Sequence, residues 1–508
     1  MEDSLKSNLL GQRKIRLEKL EKIKQLGINP YPSKSNRDLG IGEIRKEYEK
    51  YEGSNHTVAG RIIGWRAHGK LVFADIKDIS GNIQVIMKEE WLEKGLKEGF
   101  LDWVNLELLD LADFIEVNGE ISKSKTGEIS ILAKSIRLLT KSLRPIPRKL
   151  KSKEQKFRRR YLDLVINSDR GKLFERKAKF WQVQRDFLKD EGFMEVEVPI
   201  LETVTGGADA KPFITHHNAL DIDLYLRIST ELYQKRLIGG GFEKIYTFGP
   251  HFRNEGMDDE HLQEFYDIEW YWAYANYKDN MDLVKRLLID VAQKIYGKSS
   301  FTTRGHTFDL ASEWEEIDFV GVIKENFNVD ILNDSDEKIL ETIKEKGVEI
   351  EGEINRNRMI DNMWKYIRAN ISGPAFLVNH PVFFSPLAKS QEENPKLTER
   401  FQVIIAGSEL GNGYSEINDP QDQLERFLEQ QRLRETGDEE AQMLDIDFVE
   451  MLEYGMPPTS GYGQSERIFW FLEDITAREG TLFPQMRPEL DQFTKEIYSD
   501  ILPKGKKK

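Results

Sequence analysis

Hydrophobic periodicity changes twice along this chain, near His56 and again near Lys172, and these two changes constrain the fold more than any single motif. Between Val58 and Ala133 the apolar residues fall into five short runs: Val58 to Trp65, Leu71 to Ile76, Asn82 to Met87, Phe114 to Ile121 and Ile129 to Ala133. Ser80-Gly81 joins the second to the third. Five strands within roughly 80 residues predict a small barrel, for which an OB-fold is the natural form. Ahead of it, Leu17, Leu20, Ile23 and Leu26 recur at helical spacing until Gly27 and Pro30-Tyr31-Pro32 end the pattern. The expected organisation is a helical extension over 1–55, the barrel over 56–140 and a basic linker with Pro145 and Pro147 over 141–171. A large α+β domain over 172–503 follows, with a Lys- and Glu-rich helical insertion around 315–370, and then a basic tail, 504–508.

A chain of 508 residues has room for two or three such units, and 39% hydrophobic with 32% charged residues is a globular composition. Cysteine is absent, which excludes disulfides and Cys-based zinc sites and suits a reducing, cytoplasmic setting. No apolar run approaches the roughly 20 residues that span a bilayer. The opening Met1-Glu2-Asp3-Ser4 reads as no secretory signal, so no membrane partner is expected. A net charge of −14 means that a nucleic-acid partner would need local concentrations of cations. Three exist: Arg13 to Lys24, Lys141 through Arg158-Arg159-Arg160, and Lys504 to Lys508. Each can equally be a solvated helix face or a loose tail.

Chemistry concentrates in Phe252-Arg253-Asn254-Glu255-Gly256, followed by His261 and the acid-aromatic run Glu264 to Tyr271. Strand-like runs on both sides make this a hairpin that carries charge into a pocket. A guanidinium fork suits phosphate oxygens, an aromatic ring can stack on a base, and a carboxylate can orient an amine or a metal. The hairpin resembles motif 2 of the class II aminoacyl-tRNA synthetases, in the lysyl, aspartyl and asparaginyl subgroup. The resemblance implies a catalytic domain with a mainly antiparallel sheet flanked by helices. It also implies that Arg253 holds the ATP α-phosphate and the amino-acid carboxylate, that Glu255 and His261 line the ATP site, and that Phe265 stacks on adenine. His261-Leu262-Gln263-Glu264-Phe265 departs from the family's usual His-Asn-Pro-Glu-Phe.

Other segments carry the same resemblance. Gly192 to Pro199, after a long helical run, is similar to motif 1, through which these enzymes form homodimers. Thr205-Gly206-Gly207 and Leu226 to Tyr233 are very close to lysyl-tRNA synthetase sequence, in which the residues matching Gly207 and Glu231 take the substrate α-amino group. Glu269 and Tyr271, two apart on a predicted strand, share one face and match the residues that take a lysine ε-amino group. Burying an ammonium costs several kcal/mol unless acceptors replace its water, whereas an aspartate pocket would want cations there. Glu409-Leu410-Gly411-Asn412-Gly413-Tyr414-Ser415-Glu416 puts Glu409 on the face opposite Asn412, Tyr414 and Glu416 unless a bulge near Gly411 to Gly413 intervenes. By resemblance Glu409 and Glu416 hold Mg²⁺, and Asn412, Tyr414 and Glu416 line the lysine site. Tyr454 to Arg467 resembles motif 3, one residue short and with Gln464-Ser465 in place of a further Gly-x-Gly; its Arg467 is expected on ATP. In the barrel, the order of Phe73, Gln84 and Glu128 with their flanking glycines resembles an anticodon-binding OB domain, and stacking plus polar readout of unstacked bases is the chemistry expected of them.

The chain as a whole therefore resembles a class II lysyl-tRNA synthetase, which implies ATP, lysine and tRNA(Lys) as substrates and a homodimer in the cytoplasm. An aspartyl or asparaginyl enzyme is the nearest alternative, disfavoured by Glu231, Glu269 and Tyr271. An inactive RNA-binding regulator would keep the barrel but lose Arg253, Glu409, Glu416 or Arg467, and all four are present.

Overall fold

The computed structural model describes residues 2–93, 99–350, 354–437 and 440–502; the basic tail expected at 504–508 lies outside the described residues. Two compact units result: one contains the described residues up to Asn167 and those from Met486 on, the other Ser168–Gln485. No helix among the described residues is long and apolar enough to cross a membrane.

In the first unit β1 (Asn55–His68), β2 (Leu71–Asp78), β3 (Gly81–Lys88), β4 (Phe100–Leu101), β5 (Phe114–Lys123) and β6 (Ile129–Thr140) form one sheet in the order β3-β2-β1-β5-β6-β4. A parallel pairing of β3 with β6 closes it, so the inward residues Val58, Val72, Ile76, Val85, Ile115, Val117 and Ile131 share one core. The five long strands are those the alternation predicts, forming the OB-type barrel. The two-residue β4 is too short to show a period. Closure needs glycine at one place: a Cβ on Gly119 would lie 2.1 Å from the Leu132 carbonyl oxygen, beside the register shift after Asn118.

The two basic runs within this unit are partly spent on protein partners. Helix Glu2–Gln25 buries Ile23 in the barrel core, and its Arg16 donates to the carbonyls of Leu111, Ser142 and Arg144. Lys141, fully buried, lies 2.5 Å from Asp110 and 2.7 Å from Asp113. Arg160 is buried against Asp163 at 3.0 Å, and Arg159 pairs with Asp491. Arg144 donates to Thr494 at 3.0 Å. Residues from Met486 on thus join the barrel unit instead of continuing the catalytic one.

The second unit contains β7 (Met194–Glu195), β8 (Leu201–Glu202), β9 (Ile214–His217), β10 (Ile222–Leu226), β11 (Lys244–Phe252), β12 (Glu264–Ala273), β13 (Ser300–Thr303), β14 (His306–Asp309), β15 (Glu315–Asp318), β16 (Ala375–Val378), β17 (Arg400–Ile405), β18 (Ser408–Ser415) and β19 (Thr459–Ser465). Its main sheet has eight strands in the order β15-β16-β17-β18-β19-β12-β11-β7, antiparallel except for the pairs β15–β16 and β7–β11. Ile268 and Trp270 of β12, Phe401 and Val403 of β17 and Tyr462 of β19 pack with Leu283, Val284 and Leu287 of helix Tyr277–Tyr296. Asn276 caps that helix by accepting from the Lys278 and Asp279 amides, and Gly297, left-handed, ends it. Alternation sends the intervening residues of the same strands to the other face, where the cleft lies.

The segment expected as a helical insertion is built into this sheet. It begins with strand β15, and helices Phe319–Phe327, Asp336–Glu345 and Arg356–Arg368 share a core with Ala375, Leu377 and Ile404 of β16 and β17.

Candidate active site

Strands β11 and β12 form a hairpin in which His251 pairs with Phe265 and Thr247 with Glu269. Period-2 alternation places Phe265, Asp267, Glu269 and Tyr271 on the cleft face of β12. Beside β12, β19 contributes Gly463 opposite Glu269 and Gly461 opposite Tyr271. A Cβ on Gly461 would sit 2.3 Å from the Glu416 carboxylate and 2.4 Å from the Tyr271 ring, so these glycines keep the floor open.

The cleft has two joined compartments. One is an acid-rich cavity of about 270 Å³ lined by Gly207, Glu231, Glu269, Tyr271, Asn412, Tyr414 and Glu416. The other, about 250 Å³, is lined by Glu255, His261, Phe265, Glu409 and Arg467. Arg253, Asp267, Gln402, Asn412 and Gly463 line both. All the active-site residues expected from the sequence therefore face this cleft.

Arg253 stands at the junction. Its backbone amide donates to the Gln263 carbonyl at 2.9 Å, and its guanidinium lies 5.2 Å from the Phe265 ring centroid. Its Nε is buried with no hydrogen-bond partner, a donor left for an anion. Leu262-Gln263, the departure noted in the sequence, has a structural use: Leu262 is buried in the core and the Gln263 amide donates to the Glu255 carbonyl at 2.9 Å, tying the hairpin loop together. His261 is exposed and held by Asp258 at 2.7 Å. Arg467 donates to the Glu409 carbonyl at 2.9 Å and pairs with Glu260, which also pairs with Arg304.

In the acid-rich cavity the carboxylates have unequal company. Glu269 accepts from Ser229 at 3.2 Å and from the Thr230 hydroxyl at 2.8 Å, with His251 3.3 Å away. Burial works to raise its pKa, but the His251 and Thr230 contacts hold it below the usual carboxylate value. Glu231 opens helix Glu231–Gly239, accepts from the Tyr414 hydroxyl at 2.7 Å and lies 2.7 Å from the buried Lys235. Lys235 also meets Glu416 at 2.5 Å. One ammonium thus serves two carboxylates, and burial together with Glu231 pushes Glu416 up to about 8 despite that lysine. Gly207, at φ +86°, approaches this group closely: a Cβ there would be 2.7 Å from the Ser229 hydroxyl.

Strand β18 contains the bulge that the sequence calls for, one step earlier than expected. Val403 pairs with Gly411 but Ile404 pairs with Glu409, so Leu410 is the extra residue. The bulge turns Glu409 to the face of Asn412, Tyr414 and Glu416. Glu409 borders the second compartment and Glu416 the first. Glu409 accepts from the Trp364 indole at 2.6 Å and the Gln402 amide at 2.9 Å, with the Arg368 guanidinium 3.8 Å away. Glu416 shares Lys235 with Glu231. Among the described residues no group of three or more His, Cys, Asp or Glu could hold a metal ion. Glu409 fits a divalent ion whose other ligands include phosphate and water oxygens.

Asp267, Glu260, Arg304, Lys235, Arg400, Gln402 and Trp364 are the site residues that motif matching passes over. Only Asp267 had a readable signal, its place two residues before Glu269.

On the barrel, Phe73 pairs with Ile86 and Asp75 with Gln84 across β2 and β3, which puts Phe73 and Gln84 diagonally on the outer face, opposite to the core residues Val72, Ala74, Ile83 and Val85. Gln84 accepts from the Ser130 hydroxyl at 3.1 Å, and Glu128, after the turn at Gly127, pairs with Arg45 at 3.3 Å.

Residues 152–487 match the family model described as tRNA synthetases class II (D, K and N), and residues 56–139 match that of the OB-fold nucleic acid binding domain. The chain is 44% identical to the lysine–tRNA ligase of Thermotoga maritima over 93% of its own length and 95% of that protein. It is also 44% identical to the lysine–tRNA ligase of Fervidobacterium nodosum, over 96% of each chain, and to that of Thermoanaerobacter pseudethanolicus, over 94% and 96%. The two matched families coincide with the barrel and with the domain that carries the cleft, and the chain belongs to the class II tRNA synthetases of the D, K and N group.

Proposed function

We propose that the protein is a lysyl-tRNA synthetase: lysine attacks the α-phosphate of ATP to give lysyl-adenylate and diphosphate, and the 3′ end of tRNA(Lys) then takes the lysyl group. The observation that carries this reading is the position of Arg253 between an acid-rich cavity and a cleft with an aromatic and an arginine wall. The two ammonium groups of lysine suit the first, a nucleotide the second. An aspartate side chain in the cavity would meet Glu231, Glu269 and Glu416.

Arg253 binds the lysine carboxylate and the α-phosphate and offsets the charge that builds on the phosphoryl oxygens during in-line attack. Phe265 stacks on adenine, Glu255 and His261 border the nucleotide, and Arg467 takes its phosphates once Glu260 gives way. Gly207 and Glu231 orient the α-amine, while Tyr271, Asn412, Tyr414 and Glu416 surround the side chain. Glu269, oriented by Ser229 and Thr230, takes the side-chain ammonium together with Tyr271. Glu409 and Glu416 would hold Mg²⁺, which would neutralise phosphate charge. No side chain is positioned as a dedicated base, so rate comes from positioning and fixed charge. Phe73, Gln84 and Glu128 read the anticodon. The enzyme works as a cytoplasmic homodimer.

ATP–diphosphate exchange measured across amino acids tests this. Lysine-dependent exchange is expected, and Arg253→Ala is expected to lower it by about a hundredfold or more, the scale of losing a preorganised charge at the reacting phosphate. Exchange with aspartate and none with lysine overturns the substrate assignment.

A further inference from the structure

We propose that Asp267 is a further substrate-binding residue of this cleft and accepts the α-ammonium group of the amino acid being activated. The inference rests on the reading of the cavity as an amino-acid site and adds to it a residue that no motif supplies. Asp267 shares the cleft face of β12 with Phe265, Glu269 and Tyr271, and it lines both compartments, as Arg253 does. It is 9% exposed, and its Oδ1 is buried with no hydrogen-bond partner. A buried carboxylate oxygen in that condition is costly unless a ligand supplies the donor.

Of the neighbouring carboxylates, Glu269 has Ser229 and Thr230, and Glu231 has Tyr414 and Lys235 but keeps a place for one α-amine hydrogen; Glu416, whose oxygens also lack a hydrogen bond, lies beside Lys235 and does not border the junction with the second compartment. The α-ammonium sits on the carbon next to the carboxylate that Arg253 takes, so it must lie at the same junction. Across the sheet, Gly463 of β19 faces the same junction: a Cβ there would lie 3.0 Å from Glu269 Cγ and 3.9 Å from Asp267 Oδ1. Burial and Glu269 push the Asp267 carboxyl pKa well up against the pull of Arg253; a neutral ribose hydroxyl would leave it so, whereas an ammonium favours the charged form.

The test compares lysine with 6-aminohexanoate, which is lysine without its α-amine. Asp267→Asn keeps the shape and removes the charge. It is expected to raise the KM for lysine in ATP–diphosphate exchange by about tenfold to a hundredfold, the scale of a lost charge-assisted hydrogen bond. The inhibition constant of 6-aminohexanoate and the KM for ATP should stay where they are. Asp267→Ser must repeat the split, which guards against a fault in folding of either variant. An equal loss for lysine and 6-aminohexanoate overturns the proposal, and so does a rise confined to the KM for ATP. Exchange by the unaltered protein tests the parent reading separately: if another amino acid is the substrate, the same comparison is made with it and its deamino counterpart, because every amino acid carries the α-ammonium.

Discussion

Glu202 shows how one buried side chain that does not line the cleft can set a pH dependence. It lies in β8, 3% exposed, and burial, with Glu269 and Asp445 adding to it against Arg227 and Arg236, raises its pKa from 4.5 to about 8. The folded protein therefore holds a proton there that the unfolded chain loses above about pH 4.5. Its contribution to stability is complete below pH 4.5 and is lost as pH rises through 8. Glu202→Gln keeps the neutral shape at every pH. We expect its unfolding temperature to match that of the parent at pH 5 and to exceed it by a few degrees at pH 8.5, in line with a linkage of up to a few kcal/mol. Equal differences at the two pH values would sink the idea. The same physics separates the basic residues: Arg16, Lys141 and Arg160 count as positive charge in a sequence, yet each is buried against carbonyls or carboxylates.

Strands were the most legible elements, because period-2 alternation is a local signal. The five long barrel strands and the pairing of Phe265, Glu269 and Tyr271 on one face all follow from it. What the alternation could not show is what arrives from elsewhere in the chain. Arg304 comes from the turn between β13 and β14, Trp364 from the helix Arg356–Arg368, and Lys235 reaches Glu416 only because two distant segments meet. The β19 floor gives an element-scale prediction. Gly461→Ala would force a methyl against Glu416 and Tyr271, a misfit on the scale of about 1–3 kcal/mol for overpacking, so the KM for lysine should rise by about tenfold while the KM for ATP is retained. A rise in the KM for ATP with that for lysine unaffected would show that β19 faces the nucleotide at this point.

At the scale of the molecule, the barrel and the catalytic domain are separate units with separate cores, so lesions in one should leave the other's chemistry intact. Phe73→Ala is expected to lower kcat/KM for tRNA charging by roughly fivefold to a hundredfold, the worth of one base stacked on an aromatic ring. ATP–diphosphate exchange should be unaffected, and loss of both activities together would count against an independent RNA-reading role. The segment from Met486 to Leu502 has a different consequence. Its Asp491 and Thr494 pair with Arg159 and Arg144 of the barrel unit, although the whole catalytic unit lies between them in the chain. During synthesis the unit that starts first therefore finishes last. The contacts of Arg144 and Arg159 wait while more than half of the chain is made, although the barrel core itself, whose last residue is Leu138, draws on none of that segment.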